Sequence, residues 1–133
     1  NLLADLDGQW MKILLVHRGQ LWGIGACPLP GTAADRTDGE FLKKLARLIE
    51  KKGREIRVAR GGDLPEISSV FLSGTWMSDP AVREALAGSF SVPAQALDPF
   101  RTVSIEEGTK KQLGGQVYSC AVVTGLALRC QTN

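Results

Sequence analysis

The chain has little of most things that announce a function. Its three cysteines, Cys27, Cys120 and Cys130, are an odd set without a CxxC pair, and it carries one histidine, His17. Neither a disulfide framework nor a zinc site follows from that inventory. The cysteines read as reduced, mostly buried thiols. Sixteen basic residues against fourteen acidic leave a formal charge of +2. That is too small for the broad positive field on which nonspecific nucleic-acid binding depends. The longest apolar stretch, Val117 to Leu128, is broken by Ser119, Thr124 and Gly125. It falls short of the roughly 20 residues that span a bilayer, so no membrane-spanning segment is expected. A GxSxG elbow, a Cys-His arrangement and a Walker glycine loop are all missing, which leaves nucleophilic catalysis without support. The first residue is Asn1 rather than methionine, at the edge of an apolar run with no signal-peptide architecture. A piece cut from a longer protein is the expectation.

What is present is an ordinary globular composition. Of 133 residues, 44% are hydrophobic and 23% charged, enough for one core and one domain spanning residues 1–133. Leu2 to Asp5 and Met11 to His17 are apolar runs joined by the turn pair Asp7-Gly8. Gln20 to Leu29 resumes after Arg18-Gly19 and stops at Pro28 and Pro30. Three antiparallel strands in a meander follow from these turns.

Beyond a polar loop from Gly31 to Gly39, the period changes. Phe41, Leu42, Leu45, Leu48, Ile49 and Ile56 recur at helical spacing, predicting one long helix from Asp38 to about Arg60. Thr37 or Asp38 would cap it, Gly61-Gly62 would end it, and Gly53 should weaken it by about 1 kcal/mol relative to alanine. Lys43, Lys44, Arg47, Lys51, Lys52 and Arg54 crowd the opposite side. A solvated face explains them, and contact with an acidic partner or anionic lipid is the sharper alternative.

Val70 to Leu72 reads as a buried strand and Ser73-Gly74-Thr75 as a turn. Asp79-Pro80 opens a second helix with the stripe Val82, Leu86 and Phe90. Val92 to Leu97 is a further strand, at an edge or starting at Pro93. Arg101 to Gly115 reads as surface loop, and Gln116 to Arg129 as a final helix, apolar nearly all round and therefore deeply packed. The fold class is α/β: a mixed sheet in the order β-β-β-α-β-α-β-α, antiparallel at first, parallel later, with covering helices.

This order, together with four local words, resembles the second ribonuclease-H-like half of actin-like proteins. The words are Cys27 to Gly31 (CPLPG), Ile67 to Gly74 (ISSVFLSG), Val92 to Phe100 (VPAQALDPF) and Ala121 to Arg129 (AVVTGLALR). They are most similar to the actin-like proteins of type IV pilus assembly, with the cytoplasmic actin-like domains of type II secretion platforms sharing the architecture. The resemblance implies a phosphate-binding hairpin at Asp5-Leu6-Asp7-Gly8 and an adenosine segment at Ser73-Gly74-Thr75. Both words are degraded. Asp7 stands where the family has glycine, Met11 replaces a hydroxyl residue, Thr75 replaces a second glycine, and bulky Trp76 follows.

Asp7-Gly8 is also what a tight hairpin turn favours without any ligand. Trp76 and Met77 can be core residues, can fill the place of adenine, or can offer a partner an apolar contact. At least one of Trp10 and Trp22 should pack on the meander, and His17 reads as structural. The resulting expectation is a non-catalytic scaffold that contacts other pilus or secretion proteins at the cytoplasmic face of the inner membrane. No metal or cofactor is expected in this chain, with magnesium and ATP implied only for a full-length parent, and self-association stays open. The alternative is half of an ATP-binding actin-like ATPase or sugar-kinase-like phosphotransferase, with Asp5 serving the metal-bound water and Gly74 the nucleoside. A nuclease ranks last, because only Asp5 and Asp7 could converge on a metal.

Overall fold

In a computed structural model, residues 1–31, 33–61, 65–98 and 107–113 are described. Strands β1 (Leu2–Asp7), β2 (Trp10–His17) and β3 (Gln20–Pro28) form the antiparallel meander. Gly8 and Gly19 turn the chain between them with φ of 62° and 74°. Helix α1 (Gly39–Arg60) follows, then β4 (Val70–Ser73), helix α2 (Pro80–Ala87), β5 (Ala94–Ala96) and helix α3 (Glu107–Leu113). The sheet runs β3-β2-β1-β4-β5, with β1 parallel to β4 and β4 parallel to β5. The mixed sheet expected from the sequence is therefore present, and β5 occupies the edge that Pro93 suggested.

Three expectations need correction. Helix α2 ends at Ala87, so Phe90, read as the end of its stripe, lies beyond it, although it packs against the core. The segment read as a loop from Gly31 to Gly39 contains a 3₁₀ turn, Ala33–Thr37. The stretch read as a surface loop from Arg101 to Gly115 contains α3, whose seven residues lack the apolar periodicity by which helices are recognised. The helix expected from Gln116 to Arg129 lies outside the described residues, as do Cys120 and Cys130. Cys27 is a free, half-buried thiol.

The core lies between one sheet face and helices α1 and α2. Alternation in β1 and β2 sends Leu2, Ala4, Leu6, Met11, Ile13 and Leu15 inward. They meet Leu42, Leu45, Ala46 and Ile49 of α1 and Val82 and Leu86 of α2. Asp38 caps α1 by accepting from the Glu40 amide at 3.0 Å, and Gly61 ends it at φ 73°. Asp79 caps α2 in the same manner, accepting from Ala81 at 2.9 Å. Gly53 has a use that propensity alone does not reveal. A Cβ there would lie 2.8 Å from Leu2 Cδ2 and 2.9 Å from Ile67 Cδ1, so its bareness lets α1 settle onto the start of β1. Trp22 packs, with its indole N–H donating to the His17 carbonyl at 3.3 Å and the two rings edge to face, whereas Trp10 is 55% exposed.

Candidate functional site

The parallel pairing of β1 with β4 sets Asp5 beside Ser73. Segments 68 residues apart thus arrive at one place, the carboxyl ends of two parallel strands, where open α/β sheets present ligand-binding groups. All six residues assigned to degraded nucleotide words meet here: Asp5, Asp7 and Gly8 at the end of β1, and Ser73, Gly74 and Thr75 at the end of β4.

Their polar groups are spent largely on one another. The Ser73 hydroxyl, 1% exposed, donates to Asp5 Oδ1 at 2.8 Å. The Thr75 hydroxyl donates to Asp7 Oδ1 at 2.9 Å and accepts from the Gly8 amide at 3.4 Å. The Trp76 indole donates to the Gly8 carbonyl at 3.4 Å. Each carboxylate has one oxygen engaged by a hydroxyl, and the turn amide that a phosphate would seek already points at Thr75.

Gly74 is required by packing. Its φ is 102°, and a Cβ would collide with the Leu6 carbonyl oxygen and lie 2.6 Å from the Leu6 carbonyl carbon. The glycine that matches the adenosine word is therefore explained by the close approach of the chain after β4 to the backbone of its neighbour β1. That explanation needs no purine.

Trp76 and Met77 are 3% and 0% exposed. Both side chains are enclosed by their own domain, so neither is exposed for the partner contact that the sequence suggested. Trp76 lies between Arg36, whose guanidinium carbon is 4.1 Å from the ring centroid, and Phe41, with centroids 6.4 Å apart. That cation–π contact ties the 3₁₀ turn of Ala33–Thr37 to the junction. Sequence reading missed it, since nothing local marks Arg36. It also missed Ser73 as the partner of Asp5, because the pairing follows from strand register.

Magnesium nucleotide fits these residues poorly. Among the described residues no group of three or more His, Cys, Asp or Glu side chains could hold a metal ion. Asp5 and Asp7 already accept hydroxyl protons, and indole bulk follows Gly74 directly. A cleft of about 220 Å³ opens at the other end of the same strands, lined by Asn1, His17, Arg18 and Glu66 among others.

No protein-family model matches the sequence, and no curated protein matches it either. Solved structures do match. A chain of a PilM-PilN type IV pilus biogenesis complex superposes with a TM-score of 0.66 at 15% identity, covering 96% of this chain. The chain has the actin-like, ribonuclease-H-like fold. It spans 45% of the length of that neighbour, and at this identity the likeness speaks for the fold alone. An activator of 2-hydroxyisocaproyl-CoA dehydratase from Clostridium difficile, with bound ADPNP, matches at a TM-score of 0.42 and 13% identity over 98% of this chain and 62% of its own. That second likeness is too slight to carry weight. Among the described residues no helix is long and apolar enough to cross a membrane.

Proposed function

We propose that this chain is one half of an actin-like protein and serves as a non-catalytic scaffold in a type IV pilus assembly or type II secretion machine. In this reading residues 1–133 form a single domain that makes protein contacts at the cytoplasmic face of the inner membrane. The observation that carries it is the closed junction: Ser73 on Asp5, Thr75 on Asp7 and the Gly8 amide on Thr75. A working phosphate site keeps its turn amides and carboxylates aimed at the ligand, whereas these aim at each other. The fold shared with a chain of a PilM-PilN pilus complex supports the choice of machine. The partners are then other assembly proteins of that machine.

One observation favours a second reading, an ATP-binding actin-like ATPase or sugar-kinase-like phosphotransferase half. Asp5 and Gly74 do meet at the carboxyl ends of parallel strands, the place such an enzyme would use. Calorimetric titration of the complete protein with magnesium and ATP separates the two. The scaffold reading expects no saturable heat. Tight binding that disappears in Asp5→Asn would replace it with the enzyme.

A further inference from the structure

The outer side of α1 carries a line of cations that, among the described residues, no carboxylate meets in an ion pair. Lys44, Arg47, Lys51 and Arg54 follow one another at spacings of three, four and three, so they form a single stripe opposite the buried Leu45, Ile49 and Gly53. All four are exposed. The stripe runs about 15 Å along the helix. Each consecutive pair is a like-charge neighbour on the helix surface, an arrangement that costs stability.

The helix has acids that could have relieved it, and they are used elsewhere. Glu40 and Glu55 stand four residues from Lys44 and Lys51, yet their carboxylates pair with Lys43 and Lys52, each at 3.3 Å, rather than with the stripe. Glu50 accepts from the amide and hydroxyl of Ser91 at 2.8 Å. Among the described residues none of the four stripe cations has an ion-pair partner. A net charge of +2 for the whole chain conceals this local concentration.

We infer that this stripe docks the domain directly onto an anionic lipid bilayer. A protein partner would be anchored by aromatic or other bulky apolar groups in pockets. The stripe has none, and Val58, 74% exposed one turn beyond Arg54, is the single large exposed hydrophobe of α1 among the described residues. A planar anionic surface needs no matching pockets. It rewards a straight row of flexible cations, each contributing through the lipid surface potential, and it accepts an apolar side chain such as Val58 at its rim. This inference goes beyond the scaffold reading and holds whether or not the junction binds nucleotide.

The test is co-sedimentation of the chain with vesicles of phosphatidylcholine alone and of phosphatidylcholine mixed with phosphatidylglycerol. Binding should require phosphatidylglycerol and should fade as salt rises. Neutralising one stripe residue should lower the partition coefficient about fivefold. Lys44→Gln with Lys51→Gln should therefore lower it roughly 25-fold. Lys12→Gln with Lys111→Gln removes the same net charge elsewhere and should leave it nearly unchanged. Circular dichroism confirms that both pairs fold, and single variants replace any pair that does not. An equal loss in the two pairs, no binding to the mixed vesicles, or binding to polyglutamate or duplex DNA in place of vesicles would each overturn the inference.

Discussion

The junction at the ends of β1 and β4 and the outer face of α1 are both polar, and they differ in how their charges are met. At the junction, two carboxylates each receive a hydroxyl from the neighbouring strand's end. Along α1, four cations stand in a row with their own helix's acids engaged elsewhere. At the place that resemblance marks for a ligand, the protein's own hydroxyls already meet the carboxylates. The group left open for something external lies on a helix face to which no family word points.

The comparison breaks first at Gly74. Gly74→Ala should destabilise the fold by about 3–5 kcal/mol, combining the positive φ with collision against the Leu6 backbone. Gly8→Ala, at φ 62° with nothing within 4 Å of the added methyl, should cost only about 1 kcal/mol. Urea unfolding of both variants measures the difference. Similar costs would mean that the strand end does not lie on β1 as described.

Close packing on the buried side of α1 can be tested by a change of sign. Leu2→Ala should cost about 3 kcal/mol, since Leu2 is fully buried. Gly53→Ala should destabilise the parent by about 1 kcal/mol, crowding outweighing the gain in helix propensity. In a background that carries Leu2→Ala and Ile67→Ala together the same change should become stabilising, because both side chains that crowd the methyl are then gone.

The smallest effects concern the charges. A double-mutant cycle of Asp5→Ala with Ser73→Ala should give a coupling of about 1.5–2 kcal/mol, since a hydroxyl bonded to a charged acceptor exceeds a neutral bond. The exposed Asp7 and Thr75 should couple by about 0.5 kcal/mol. Neutralising Lys44 and Lys51 should change stability by no more than a few tenths of a kcal/mol, because relief of like-charge neighbours is offset by the loss of Glu40 and Glu55 as opposite-charge neighbours four residues away. A loss above about 1 kcal/mol would show that the stripe is held by internal contacts after all.

Much of the fold was legible because its signals are local. Asp7-Gly8 and Arg18-Gly19 mark hairpins, Asp38 and Asp79-Pro80 mark helix starts, and the shift from strand to helical period after Gly39 marks the change of architecture. The 3₁₀ turn at Ala33–Thr37 and α3 carry no periodic apolar face, so no pattern betrayed them. The candidate site was legible as two words but not as a closed unit. Which hydroxyl meets which carboxylate is decided by the register of Asp5 on Ser73, a contact 68 residues distant along the chain. Gly74 shows the same limit in reverse: the glycine was visible, but the backbone that demands it belongs to Leu6. Gly53 looked like a defect in α1 until Leu2 and Ile67 appeared beneath it.

The backbone amides of Gly8, Gly74 and Thr75 report on the junction individually, and their NMR resonances in the complete protein can be followed as magnesium and ATP are added. A junction closed on itself predicts that all three stay in place across the titration. Saturable shifts of these three that vanish in Asp5→Asn would contradict it and hand the site back to a nucleotide.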